Sequence, residues 1–490
     1  MAASEPIRVL FAGAEAAPLV KVGGLGDVAG VLPSILPALP EAAREGRTLD
    51  VRVVIPYHPT IPRDTPAIRP LLKFKTRYPG GAIDTQVYQT ELNGIVTYLI
   101  DGEPIPKQGG VYNIDTQKDG RKFTFFSLAL LELPKALDWP IDILHAQDWH
   151  VGVAVHMLAE LRKTDLFYAR TRSVFTVHNL PYMGAGTDRA MREFGIPENT
   201  DARLPEWGHY QPLPMALSAA DIITTVSPTY SREILTPEFG CGLESFLRAR
   251  SDSLVGILNG IDLVSIDPAT DRALVQNYDL AHIEEREPNK AALLAEVGLD
   301  SSQDLPLLIL ISRMDHQKGV DVAVGALAEI ADLPWQAILL GTGEPGLEEM
   351  SRQLERSLPD RVRAVIRFDA AFSRRMYAGG DMLLMPSRYE PCGLAQMMAM
   401  RYGCLPVASA TGGLRDTISD QADPAESSGF LFEGATMETL AGTLRRALAA
   451  YNNQEEWATR RKFAMQQEFS WERSGQEYMR LYLRLVNPSE

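Results

Sequence analysis

Glu390 lies in the segment best equipped for chemistry, Ser387-Arg-Tyr-Glu-Pro-Cys-Gly-Leu394, which follows the apolar run Met382–Met385 and precedes the pair Gly412-Gly413. Pro391 predicts a helix start, where its missing N–H costs nothing. Backbone donors at Cys392, Gly393 and Leu394 would then face a strand's carboxyl end beside the Glu390 carboxylate. Such a helix start draws phosphate or a polyhydroxy ligand, and ligands of open α/β sheets gather at that edge. A carboxylate that merely caps an ordinary βα loop is the plainer alternative.

A second set lies in Ile311-Ser-Arg-Met-Asp-His-Gln-Lys-Gly319, directly after another apolar run. Arg313 and Lys318 could stabilise a departing diphosphate without a metal ion; a solvated basic loop is the alternative. Gly341-Thr-Gly-Glu344, after the next run, adds a permissive turn on the same edge. The loop Lys21-Val-Gly-Gly-Leu-Gly-Asp27 formally contains G-x-G-x-x-A at Gly24, Gly26 and Ala29. A dinucleotide fingerprint needs an immediate turn after the strand and a ribose-binding carboxylate after the next. Here the glycines come long after Ala12, and the next strand runs into Pro56-Tyr57. A loop that lies against a diphosphate or sugar, with Lys21 as a point charge, fits better.

Other chemistries find less support. There is no G-x-x-x-x-G-K-[ST] phosphate loop. No two aspartates stand two positions apart, so the D-x-D pair that holds a divalent ion in many sugar transferases is absent. His145, Asp148 and His150 match no zinc spacing. Asp148 could cap the helix that follows, and His178 could be a hydrogen-bonded core histidine. Tyr182 and Trp149 could stack on sugar rings or simply pack.

These residues need parallel sheets to hold them. Apolar runs alternate with helical patterns, as in βαβ units. They are Arg8–Ala12, Val51–Ile55, Ile141–Ala146, Ser173–Val177, Ile222–Val226 and Val255–Leu258, then Leu307–Ile311, Gln336–Leu340, Val362–Phe368, Met382–Met385, Leu405–Ala408 and Gly429–Phe432. The spacing predicts two sheets joined through Asp262–Asn289, with antiparallel strands from Lys73 to Leu99 added to the first. At 490 residues the chain can bury large cores, and its formal charge of −15 disfavours nucleic acid and anionic membranes. Cys241, Cys392 and Cys404 suggest no disulfide framework or zinc knuckle, which fits a reducing cytosol. The first residues lack a signal-peptide pattern, and no apolar run approaches membrane-spanning length.

The motifs KVGGLGDV, HAQDWHVG, FTVHNLPYMG, TTVSPTYSREI, GCGLE, GILNGID, SRMDHQKG, LLGTGE, SRYEPCGL and ATGGLRDT occur in an order and spacing that resemble the bacterial glycogen synthase and starch synthase family over nearly the whole chain. The resemblance implies an α/β GT-B fold, two Rossmann-like domains facing across a cleft: residues 1–263 on the acceptor side, 264–468 binding the nucleotide sugar, and 469–490 as a helix crossing back. It implies retaining transfer of glucose from ADP-glucose to the non-reducing-end 4-hydroxyl of an α-1,4-glucan, in the cytoplasm, with no cofactor, metal, nucleic acid or membrane partner.

Carried over by motif, the resemblance gives Glu390, Arg313, Lys318, His178 and Asp148 catalytic roles. Lys21, Gly24, Asn259, Gly341, Cys392, Gly393, Leu394 and Thr411 would line the donor, and Phe368 would lie against its base. Met398 occupies the position where broader relatives carry a second glutamate, as in glycogen and starch synthases, and Gln147 stands where histidine is common. ADP against UDP, a homo-oligomeric state and the acceptor length stay open. A pyridoxal-phosphate phosphorylase finds no signature, and a silent glucan-binding protein would not need Glu390, Arg313 and Lys318.

Overall fold

The computed structural model describes residues 5–487. Its chain forms two units: one runs to Asn259 and resumes at Trp471, and the other is Gly260–Ser470.

In the first unit, β1 (Ile7–Ala12), β2 (Leu49–Pro56), β3 (Arg69–Tyr78), β4 (Gly81–Leu92), β5 (Ile95–Asp101), β6 (Ile143–Gln147), β7 (Arg172–Val177), β8 (Ile222–Thr225) and β9 (Leu254–Gly256) form one sheet, ordered β3-β4-β5-β2-β1-β6-β7-β8-β9. β1 pairs in parallel with β2 on one side and β6 on the other, Val9 lying opposite both Val51 and Ile143. Burial of β1 on both faces explains the apolar run Val9–Ala12 that follows partly exposed Arg8. The expected antiparallel addition is β3–β4–β5, and β5 joins the sheet parallel to β2.

The helix Trp471–Val486 completes this unit's core. It buries Trp471, Ser474, Gly475, Tyr478, Met479 and Tyr482, an i, i+3, i+4 stripe. Ser474 donates to the Leu258 carbonyl at 2.5 Å, and Tyr482 meets His145 Nδ1 at 2.7 Å.

The second unit holds β10 (Leu307–Ile311), β11 (Gln336–Gly341), β12 (Val362–Ile366), β13 (Met382–Met385), β14 (Leu405–Ser409) and β15 (Phe430–Phe432), ordered β12-β11-β10-β13-β14-β15 and parallel throughout. Counted from its own first strand this is the 3-2-1-4-5-6 order of a doubly wound Rossmann sheet. Buried Asp381 ties its amino-terminal edge together, accepting from Lys290 and Arg461 at 2.9 Å each and from Leu307 N–H at 2.9 Å. Burial would raise this carboxyl, but Lys290, Arg461 and Arg286 hold it below its ordinary value.

The segment Asp262–Asn289, which lies between the last strand of the first sheet and the first of the second, packs within the second unit. Tyr278 donates to the Tyr402 carbonyl at 2.8 Å, and Tyr402 donates to Asp271 at 2.5 Å. Buried Arg286 reaches the Tyr402, Tyr377 and Gly380 carbonyls near the ends of two helices. A polar stretch can thus be interior once its charges find backbone acceptors.

Candidate active site

Both sheets reverse their winding once, β1 against β6 and β10 against β13, and ligands of open α/β sheets collect where loops diverge at such points. Lys21 and Gly24 follow β1, Asp148 follows β6, Arg313 and Lys318 follow β10, and Glu390 to Leu394 follow β13, while His178, Asn259, Gly341, Phe368 and Thr411 lie at the ends of β7, β9, β11, β12 and β14.

In the second unit the loop after β10 carries Arg313 and Lys318, and the loop after β13 carries Glu390. Lys318 Nζ meets Glu390 Oε2 at 2.6 Å, and Ser387 Oγ donates to the same oxygen at 3.0 Å. Glu390 is 4% exposed, so its charge is held by these partners rather than by water. Arg313 is more open, paired with Asp315 at 2.7 Å and reaching Gln317 at 3.3 Å. Gln317 in turn donates to the Tyr389 carbonyl at 3.3 Å, and Arg388 N–H donates to the Gln317 carbonyl at 2.8 Å. The two loops are therefore laced together. Gly319, at φ 65°, allows this: a Cβ there would collide with the Pro386 carbonyl.

Pro391 does not start a helix. The helix is Ala395–Arg401 with Leu394 at its N-cap, and Pro391–Leu394 is irregular. Gly393 takes φ 72°, outside the helical region, and the Gln396 amide donates to the Cys392 and Gly393 carbonyls at 3.1 and 2.9 Å. The Gly-Gly pair passes close behind. Gly413 N–H donates to the Glu390 carbonyl at 3.0 Å, and a Cβ on Gly412 or Gly413 would strike the Glu390 or Cys392 carbonyl. Thr411, buried, stands at the N-cap position of the short helix Gly412–Thr417. Gly341 ends β11 against the Ser312 carbonyl, and Phe368, 86% exposed, lies just beyond edge strand β12.

The first unit gathers a different set. Gln147 ends β6, and Asp148 follows at φ 60°, ψ 179°, a conformation that costs a side-chain-bearing residue about 1–3 kcal/mol. Asp148 does not cap the following turn; its Oδ1 accepts the His178 N–H at 2.9 Å. Burial, with nearby Glu15, pushes its carboxyl up to about 7 against the backbone N–H groups of His178 and Asn179. His178 Nε2 meets Gln147 Oε1 at 2.7 Å, and loss of hydration pulls the imidazole down to about 3 although its edge keeps some solvent contact. His145 points elsewhere, held between Tyr482 and Thr176 at 2.7 and 2.8 Å, so His145, Asp148 and His150 do not converge. Trp149 packs on Phe123, with ring centroids 5.2 Å apart, while Tyr182 is exposed.

Lys21 is paired with Asp27 at 2.7 Å, and Gly24 begins the helix Gly24–Ala38. Asn259 is buried at the unit's end, its Oδ1 lacking a hydrogen bond among the described residues. Sequence reasoning missed Glu15, which underlies the Lys21 loop, and Ser387 and Gln317. An acid inside the run Leu10–Leu19 was the available signal for Glu15, since a buried carboxylate needs dedicated donors.

Two Rossmann-type units with charged and polar side chains at their strand ends fit a GT-B glycosyltransferase, and similarity to known proteins assigns the chain to that class. Residues 8–249 match the family described as starch synthase catalytic domain, and 297–462 match glycosyl transferases group 1. The glycogen synthase of Anaeromyxobacter sp. is 39% identical, covering 98% of this chain and 100% of its own. That of Geotalea daltonii is 37% identical, with coverages of 98% and 99%. Among solved structures, the catalytic domain of starch synthase IV from Arabidopsis thaliana, described as bound to ADP and acarbose, matches with a TM-score of 0.87 at 32% identity, covering 99% of this chain and all of that one. The chain belongs to the glycogen synthase and starch synthase family. Among the described residues no helix is long and apolar enough to cross a membrane.

Proposed function

We propose that this glycosyltransferase moves glucose from ADP-glucose to the 4-hydroxyl at the non-reducing end of an α-1,4-glucan, with retention. The observation that carries the reading is the set after β10 and β13: Lys318 on Glu390, with Arg313 reachable from solvent in the same laced loops. Breaking the glucose C1–O bond places negative charge on the departing diphosphate and positive charge on the sugar. Fixed cations on one side and oxygen dipoles on the other lower that barrier. In the reading, Arg313 exchanges Asp315 for the diphosphate, and Lys318 serves it while oriented by Glu390.

Cys392, Gly393, Leu394, Thr411 and Gly341 supply backbone and small-residue contacts to phosphate and glucose, and Phe368 offers a face to the base. In the first unit Lys21 and Gly24 contact the diphosphate and glucose, Asn259 lies near the donor, and Asp148 with neutral His178 serves the sugar hydroxyls. Adenine is favoured over uracil because the 32%-identical starch synthase IV domain is described with ADP. Retention follows by front-face attack, the leaving phosphate accepting the incoming hydroxyl's proton, as no side chain stands out as a nucleophile.

Purified protein with glycogen should release ADP from ADP-glucose at least about tenfold faster than UDP from UDP-glucose, a difference of about 1.4 kcal/mol in the barrier. Preference for UDP-glucose would overturn the donor assignment, and no glycogen-stimulated release from either would overturn the activity.

A further inference from the structure

The loop between β1 and the helix Gly24–Ala38 is held from beneath by a carboxylate that no step above uses. Glu15 is 2% exposed. Its Oε2 accepts the Val22 N–H at 2.6 Å and the Gly23 N–H at 3.0 Å, and its Oε1 accepts the Tyr112 hydroxyl. A Cβ on Gly26 would lie 3.1 Å from Oε2, so the carboxylate fills the space under the glycine turn. Lys21 does not neutralise it, being engaged by Asp27. The loop amides do so, at the positive end of the helix.

Tyr112 is itself fixed. The Val111 carbonyl accepts from buried Lys122 at 2.6 Å, Asn113 donates to Asp119 through its backbone at 2.9 Å and its side chain at 2.7 Å, and Lys122 pairs with Asp119 at 2.6 Å. A buried ion pair thus anchors Tyr112, Tyr112 anchors Glu15, and Glu15 anchors the backbone that presents Lys21 and Gly24. Val22, 58% exposed on top of these contacts, shows that the loop's outer surface gives it little other support.

We propose that Glu15 and Tyr112 are positioning residues for the glycine loop, acting on the donor through Lys21 and Gly24 without touching the reacting atoms. This rests on the reading that the loop contacts the donor. The test pairs a readout of loop order with one of donor binding, in the full chain. Trypsin cleavage at Lys21–Val22, followed by intact mass, reports the first; KM for ADP-glucose reports the second.

Tyr112→Phe and Glu15→Ala should cut about tenfold faster than wild type, because local opening is governed by the contacts holding the segment, and Glu15→Gln, which keeps an acceptor, should fall between. Their KM for ADP-glucose should rise about tenfold, the effect of one lost buried hydrogen bond, with KM for glycogen unchanged. Tyr112→Phe removes a single hydroxyl and should still fold, its unfolding midpoint lowered by no more than the loss of one buried hydrogen bond, so the test survives if Glu15→Ala does not fold. Faster cleavage with unchanged donor KM would uphold the brace and remove the loop from the donor site. Wild-type cleavage in both Tyr112→Phe and Glu15→Ala, with or without a raised KM, would overturn the proposal.

Discussion

At the ends of β6 and β7 in the first unit, Asp148 and His178 are stripped of water and pushed toward neutrality, whereas after β10 and β13 in the second Lys318 and Glu390 stand as paired ions. Asp148 is raised to about 7 and His178 lowered to about 3, chiefly by burial. Lys318 and Glu390, 2.6 Å apart, are instead opposite charges locked together, with Arg313 on Asp315 nearby. The two edges share a topology and differ in electrostatics. Neutral donors and acceptors suit sugar hydroxyls, which carry no charge, while oriented cations suit a diphosphate that gains charge as it leaves.

The comparison breaks most visibly at Arg313. Arg313→Ala should lower kcat on the order of 10²- to 10³-fold, the usual result of removing one preorganised charge-stabilising group, with KM for glycogen unchanged. Steady-state kinetics showing wild-type turnover would remove Arg313 from the site. Gly319→Ala should follow. Its Cβ would enter the Pro386 carbonyl at a φ of 65°, costing about 2–3 kcal/mol. Denaturant unfolding measures this, and an unchanged midpoint would mean that the two loops are not rigidly laced.

The first unit answers to pH. Because the folded-state pKa of Asp148 is raised, its protonated form contributes stability below about pH 4, and this is lost as pH rises toward 7. Asp148→Asn keeps an acceptor for His178 N–H and removes the titration. The variant should gain thermal stability relative to wild type between pH 4 and 7, and the difference should level off above. His178 has the opposite sign: its folded pKa is depressed, so stability present above about pH 6.5 is lost as pH falls toward 3. A flat Asp148→Asn difference would show that burial does not dominate this edge. The smallest effect belongs to Phe368→Ala, which should leave the unfolding midpoint unchanged and raise KM for ADP-glucose about fivefold, near 1 kcal/mol of lost stacking on the base.

The strands were legible because parallel strands buried on both faces read as apolar runs between polar stops. Leu307–Ile311 and Met382–Met385 have the same limits in sequence and structure. The helix Trp471–Val486 was expected through the family resemblance and its length, and its buried stripe of Trp471, Tyr478 and Tyr482 shows what holds it. Pro391 misled because proline fixes only its own φ; Gly393, two residues later, takes a left-handed turn that delays the helix to Ala395. Asp262–Asn289 lies between the two sheets, but its internal packing was not legible, because buried Arg286 and Asp271 find partners far along the chain. The pairing of Lys318 with Glu390 spans 72 positions, and that of Tyr112 with Glu15 spans 97; no local pattern encodes either.

The most direct test is the single-turnover rate of ADP formation by Lys318→Ala at saturating ADP-glucose and glycogen. If Lys318 stabilises the departing diphosphate, that rate falls on the order of 10²- to 10³-fold. A rate equal to that of the wild type would contradict the assignment of the charged edge to the leaving group.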